Sequence, residues 1–121
     1  MPQPDFGACL RACTECADAC DACAAASLRQ EPWMAMAGCI AVAIDCAAMC
    51  RVVAGFMARA SAHGGAVAEA CAKLCEICAL ECARHDVPQC QACAQTCRDC
   101  ARHCYDVAAL LLTQTANPAN P

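Results

Sequence analysis

Residues 9–23 read CLRACTECADACDAC, and their five cysteines, Cys9, Cys13, Cys16, Cys20 and Cys23, follow one another at steps of 4, 3, 4 and 3. Steps of three and four keep side chains on one face of an α-helix. A helix normally places its leucines at this spacing, so the pattern sets thiols at core positions. It recurs three times: Cys39, Cys46 and Cys50; then Cys71, Cys75, Cys78 and Cys82; then Cys90, Cys93, Cys97, Cys100 and Cys104. The second set is the incomplete one, with Ala43 where the register asks for a fourth thiol.

Breaks between the sets divide the chain into four helices. Asp5 is suited to cap a helix over about residues 5–28. RQEP follows, and Pro32 suits the opening turn of a second helix over 33–60, which HGG (His63, Gly64, Gly65) is expected to stop. A third helix is expected over 66–84, and Pro88 opens a fourth over 88–113, ahead of a disordered tail at 114–121. Short connections make consecutive helices antiparallel neighbours. The expectation is a single domain, 1–121: an all-α, antiparallel up-down-up-down four-helix bundle whose cysteine stripes face inward.

Composition narrows the chemistry. Seventeen of 121 residues are cysteine, above the ~8–10% that marks a disulfide scaffold in a short secreted chain. Such scaffolds are loop-rich and exported. This chain is alanine-rich, has few turn signals and carries an odd number of cysteines; its opening MPQPDFGACL shows neither a positive nor an apolar signal region, so no export signal is expected. The expected address is the cytoplasm, where thiols stay reduced. A net charge of −4, with eight scattered Lys and Arg, argues against a nucleic-acid partner. The run Trp33–Ala58 is apolar nearly all round, but Asp45, Arg51 and its cysteine stripe argue against a membrane span. Ile40, Ile44 and Ala47 lie off that stripe and are expected to pack against another subunit.

A thiol fills far less space than leucine, so a core built from cysteine and alanine is under-packed. Packing alone does not explain the pattern; metal binding does. Thiolates at i and i+4 have Cβ atoms about 5–6 Å apart, within reach of one bridging ion, and thiolates select Cu(I), zinc or iron–sulfur clusters. Zinc prefers discrete tetrahedral sets of four ligands, whereas the CxxC pairs here run on into their neighbours. Iron–sulfur motifs wrap a cluster in a loop, and none is present. Cu(I) suits a continuous ladder best. Each ion displaces a thiol proton, so a monovalent ion leaves the dry interior neutral at any filling, whereas divalent ions at that one-for-one ratio would leave a large buried positive charge. One-for-one exchange sets a capacity on the order of 15–20 Cu(I) per chain. A zinc or cadmium buffer and a cysteine-based redox scavenger are the rival readings.

The four cysteine-striped helices resemble the copper storage proteins, in their cytosolic branch, over about residues 5–113. The resemblance implies a bundle that forms first and then loads many Cu(I) ions, often as a tetramer, with all seventeen cysteines as copper ligands. Ala43 departs from that register, so a site there is missing or shifted.

The stripes can be extended past the cysteines. One end then gathers Phe6, Val53, Met57, Val107 and Leu111, an apolar plug. The other gathers Cys23, Ser27, Met36, Cys39, Cys82, His85 and Cys90, a mouth with thioether, imidazole and thiol groups. Met36 and His85, three residues after Cys82, join the candidate ligands, and copper is expected to load through this end. Met34 is off the stripe, and His63 and His103 read as solvated. Tyr105 and Trp33 carry no assigned chemistry. An enzyme is not expected. A di-iron bundle needs Glu-x-x-His, and the chain offers only Glu81 and His85 at i and i+4. Dithiol catalysis calls for a βαβ pattern, and nucleophilic catalysis needs one activated thiol beside a base.

Overall fold

The structure is a computed structural model describing residues 2–116. Four helices, α1 (Phe6–Leu28), α2 (Ala37–Ala58), α3 (Gly64–Ala83) and α4 (Pro88–Ala116), form an antiparallel bundle, with a 3-10 turn (Trp33–Met36) ahead of α2. Among the described residues there is no strand. Each helix packs against two others, α1 and α3 both lying between α2 and α4. The expected disordered tail began at residue 114; α4 continues to Ala116, and residues 117–121 lie outside the described residues.

Local chemistry sets the helix ends. Asp5 caps α1, its Oδ1 accepting the Ala8 N–H at 2.9 Å, one of the donors a helix start leaves unpaired. The second helix was expected to begin at Trp33. Instead Pro32 is extended, with ψ 131°, and the chain closes its first turn from the Ala35 N–H to the Pro32 carbonyl at 3.2 Å. That i to i+3 bond gives the tighter 3-10 winding. It leaves Trp33 and Met34 in solvent and Met36 only 6% exposed.

The stop after α2 differs from expectation. The left-handed residue is Ala60, with φ 50°, and no glycine takes that conformation. The Ala60 N–H reaches the Met57 carbonyl at 3.0 Å and the Ser61 N–H reaches that of Phe56 at 3.0 Å. These are the two bonds of a Schellman cap. Gly64 and Gly65 serve a different need as the first residues of α3. A Cβ on Gly65 would stand 3.1 Å from Leu112 Cγ and 3.2 Å from Leu111 Cβ, so the missing side chain lets α3 start against α4.

The interior is layered along the bundle axis. At one end Val53, Met57, Val107 and Leu111 are buried, with Phe6 packed against them. The middle is cysteine and alanine, and the other end holds Ser27, Met36 and Val87. The buried arc of each helix is wider than its cysteine stripe. Ala17, Ala47, Ala72, Ala94 and Ala101, each directly after a cysteine, are buried too. A helix touching two neighbours must bury both flanks of its inward face, and alanine on the flanks lets the backbones come close. This corrects the expectation for Ala47, which lies inside its own bundle at 2% exposure, whereas Ile40 is half-buried and Ile44 exposed. Trp33–Ala58 is long and apolar enough to cross a membrane, yet its cysteine face is sealed in the core. Outside, Arg51 of α2 bridges to α1 through Asp21 at 2.5 Å and Asp18 at 3.7 Å.

An alanine at positive φ is strained where glycine is not. Ala60→Gly is therefore expected to raise the melting temperature of the metal-free protein by about 2–4 °C, measured by circular dichroism. A lower melting point would show that the cap carries no strain.

Candidate metal centre

All seventeen cysteines are free thiols and all are 0% exposed. The four stripes meet on the bundle axis, as the spacing requires. Near the apolar end Cys104 lies 3.9 Å from Cys9 and 3.7 Å from Cys13 (sulfur to sulfur), and Cys50 is 3.7 Å from Cys71. Midway, Cys16 is 3.6 Å from Cys97, Cys46 is 3.6 Å from Cys75, and Cys20 is 3.6 Å from Cys93. At the far end Cys23 lies 3.2 Å from Cys90, 3.5 Å from Cys39 and 3.8 Å from Cys82, and Cys39 is 3.5 Å from Cys82. A disulfide needs sulfurs at about 2.05 Å, so these thiols touch without bonding.

Sulfurs within 4.8 Å of one another fall into overlapping sets of four. Cys13, Cys71, Cys100 and Cys104 form one; Cys16, Cys46, Cys50 and Cys75 another; Cys20, Cys78, Cys93 and Cys97 a third. Each draws on three helices. Further sets, Cys16 with Cys20, Cys46 and Cys97, and Cys50 with Cys71, Cys75 and Cys100, share members with the first three. Sharing makes the array a continuous column, in which a soft ion has thiol neighbours at every level. Ala43, fully buried, leaves α2 without a sulfur between Cys39 and Cys46.

The thiols do not hold their protons equally. Hydrogen bonds from Cys104 and Cys13 lower the Cys9 thiol to about 4, against the pull of burial. Bonds from Cys16, Cys20 and Cys104 likewise push down Cys46, Cys93 and Cys100 respectively. Their partners move the other way: Cys20 is raised, first through Cys16, and Cys75 through Cys100. At Cys39 burial is the leading cause of the rise. Where a thiol in a dry column gives up its proton, neighbours that keep theirs donate hydrogen bonds to it and support the thiolate.

The mouth contains more than the stripes suggested. Met36 is buried three residues before Cys39, and His85, half-buried, follows α3. The His85 Nε2 is 2.9 Å from Glu81 Oε2, and Arg84 Nη1 lies 3.3 Å from both Glu81 oxygens. Glu81 in turn sits where a Cβ on Gly38 would be 3.0 Å from its Oε1, so the bare glycine lets the carboxylate approach the first turn of α2, the positive end of its dipole. A carboxylate on one ring nitrogen orients the imidazole and leaves the other nitrogen for a ligand. Glu81 and the buried Val87 were not recognised as mouth residues from the sequence. The i, i+4 spacing of Glu81 and His85 was the available signal for the first. Met34 and His63 are exposed and His103 is half-buried, close to the apolar end.

The geometry has counterparts among known proteins. An uncharacterized cysteine-rich protein of Bacillus subtilis (strain 168), YhjQ, is 36% identical over 102 residues, 84% of this chain and 94% of the relative. A cytosolic copper storage protein from Streptomyces lividans, solved during copper loading with five coppers, superposes with a TM-score of 0.82 at 35% identity, covering 86% of this chain and 92% of that one. The Cu(I)-bound copper storage protein BsCsp3 superposes with a TM-score of 0.80 at 35% identity, covering 84% and 96%. Residues 3–109 match the family described as copper storage protein, and with its thiol column and these likenesses the chain belongs to that family.

Proposed function

We propose that the chain takes up many Cu(I) ions in the cytoplasm and stores them on the thiolates of its preformed column, for storage or detoxification, with no catalytic step. The observation that carries this reading is the burial of seventeen unpaired thiols on one axis. All seventeen are proposed as ligands, with Met36 and His85 at the mouth. Loading replaces each S–H proton with one Cu(I) and sends the proton to solvent, so the filled column stays neutral. The Cu(I)-bound and copper-loading relatives support the choice of ion, and the cytosolic relative supports the compartment. A zinc or cadmium buffer fits less well, because overlapping sets cannot all fill with divalent ions without leaving buried charge.

The chain is further proposed to assemble, as a tetramer by family resemblance. Exposed Ile44 and Val52 and a shallow groove lined by Met49, Val52, Val67 and Leu74 between α2 and α3 offer an apolar face that a second copy can cover.

Anaerobic Cu(I) titration against a chromogenic chelator is expected to show on the order of 15–20 tight equivalents per chain from one-for-one exchange; saturation near four would overturn the reading in favour of discrete zinc-type sites. His85→Ala combined with Met36→Leu is expected to slow both loading and removal while leaving capacity nearly intact; unchanged rates would rule out loading through the mouth. Light scattering at micromolar concentration is expected to give an oligomer, and a monomer would remove the role of the α2–α3 face.

A further inference from the structure

Ser27 continues the α1 stripe one step beyond Cys23, at the register position where another thiol would extend the column. It is fully buried, and among the described residues it is the one buried polar side chain. Exposed helical threonines in this protein turn their hydroxyls back on the chain: Thr14 to the Leu10 carbonyl at 2.9 Å, Thr113 to that of Ala109 at 2.6 Å. The Ser27 hydroxyl instead faces sulfur. Its Oγ lies 3.4 Å from Cys90 Sγ, 3.9 Å from Cys39 Sγ and 4.0 Å from Cys23 Sγ.

Those three sulfurs, with Cys82, are the mouth quartet, one thiol from each helix. The quartet is also set apart on the α2 side, because Ala43 removes the sulfur that would lead inward from Cys39; the i, i+4 contact between Cys78 and Cys82, 3.8 Å, continues the column on α3. A serine at this position ends a column of soft ligands with a hard oxygen, which is a poor ligand for Cu(I) and a good hydrogen-bond donor to a thiolate.

We propose that Ser27 is a positioning residue for copper at the mouth quartet: its hydroxyl donates to a copper-bound thiolate, draws electron density from that sulfur, and makes the outermost copper the readily exchanged one. This deepens, and rests on, the storage reading above. Release then proceeds with the ion's Cu–S bonds breaking as its bonds to the acceptor form, and a proton from solvent returning to the thiolate left without copper. The hydroxyl stabilises the thiolate while it is uncovered.

The test compares fully loaded wild type with Ser27→Ala, Ser27→Thr and Ser27→Cys under nitrogen, following transfer of Cu(I) to bathocuproine disulfonate. Ser27→Ala is expected to slow the first-released equivalents about tenfold, the low end for a hydrogen bond to a charged group, and to move the thiolate-to-copper charge-transfer band to lower energy. Ser27→Thr, which keeps the hydroxyl, should restore the rate and the band. Ser27→Cys should add one equivalent to the capacity and slow release. A Ser27→Ala trace and spectrum matching wild type, or Ser27→Thr behaving like Ser27→Ala, would overturn the proposal while leaving storage intact. A wild-type chain that fails to load many equivalents would overturn both. If Ser27→Ala loses helicity, Ser27→Cys carries the test, and unchanged capacity and release in that variant would likewise refute the role.

Discussion

The constraint to which the rest of the bundle answers is a core of sulfur against sulfur, 3.2–4.0 Å apart, along the axis where four helices meet. Burying a thiol removes little apolar surface from water, whereas a buried leucine contributes about 1.5–3 kcal/mol. A core of this kind must therefore recover cohesion elsewhere. The alanines flanking each stripe allow close backbone approach and spread dispersion contacts over the whole helix length. The aliphatic layer of Val53, Met57, Val107 and Leu111 closes one end. Neither device uses the sulfurs, which leaves the thiols free for chemistry.

That separation sets the metal the column can accept. A filled site must not leave net charge in a dry interior, and a thiol that gives up one proton to one monovalent ion meets this condition at every occupancy. Because the four-sulfur sets overlap, an ion at one level shares ligands with those above and below, and loading can proceed without rearranging helices. Metal that binds only the folded bundle raises its stability by mass action.

The cysteine periodicity made the four helices, their antiparallel order and the inward column legible before any coordinates, because a period of 3.6 ties residue spacing directly to a face. Features that depend on three-dimensional neighbours were hidden. The stop after α2 uses Ala60 at positive φ, although Gly64 and Gly65 stand close by; the pattern signals a glycine stop, but those glycines answer to Leu111 and Leu112 on a helix distant in sequence. Ala47 read as outward because the stripe alone defined the inside, whereas a helix in a square bundle buries both flanks. Glu81 beside His85 was visible as a spacing, but its partnership with bare Gly38 needed the packing of α2 on α3. Ser27 was legible as a stripe position and not as, among the described residues, the one buried hydroxyl facing sulfur.

The two ends of the bundle resolve a conflict that a storage core faces. Access to ions requires small, polar or exchangeable groups near solvent, and stability requires large apolar ones. Here α1 and α3 finish, and α2 and α4 begin, at the same end, so opposite dipole ends alternate around the mouth and largely cancel. Helix dipoles alone thus provide little attraction for a cation, so the loading route proposed at this end rests on individual groups: thioether, imidazole and the quartet thiols. Concentrating the aliphatic residues at the opposite end lets the mouth be built from weakly cohesive groups without loosening the fold. Cohesion and access are divided along one axis, and the sulfur column connects them.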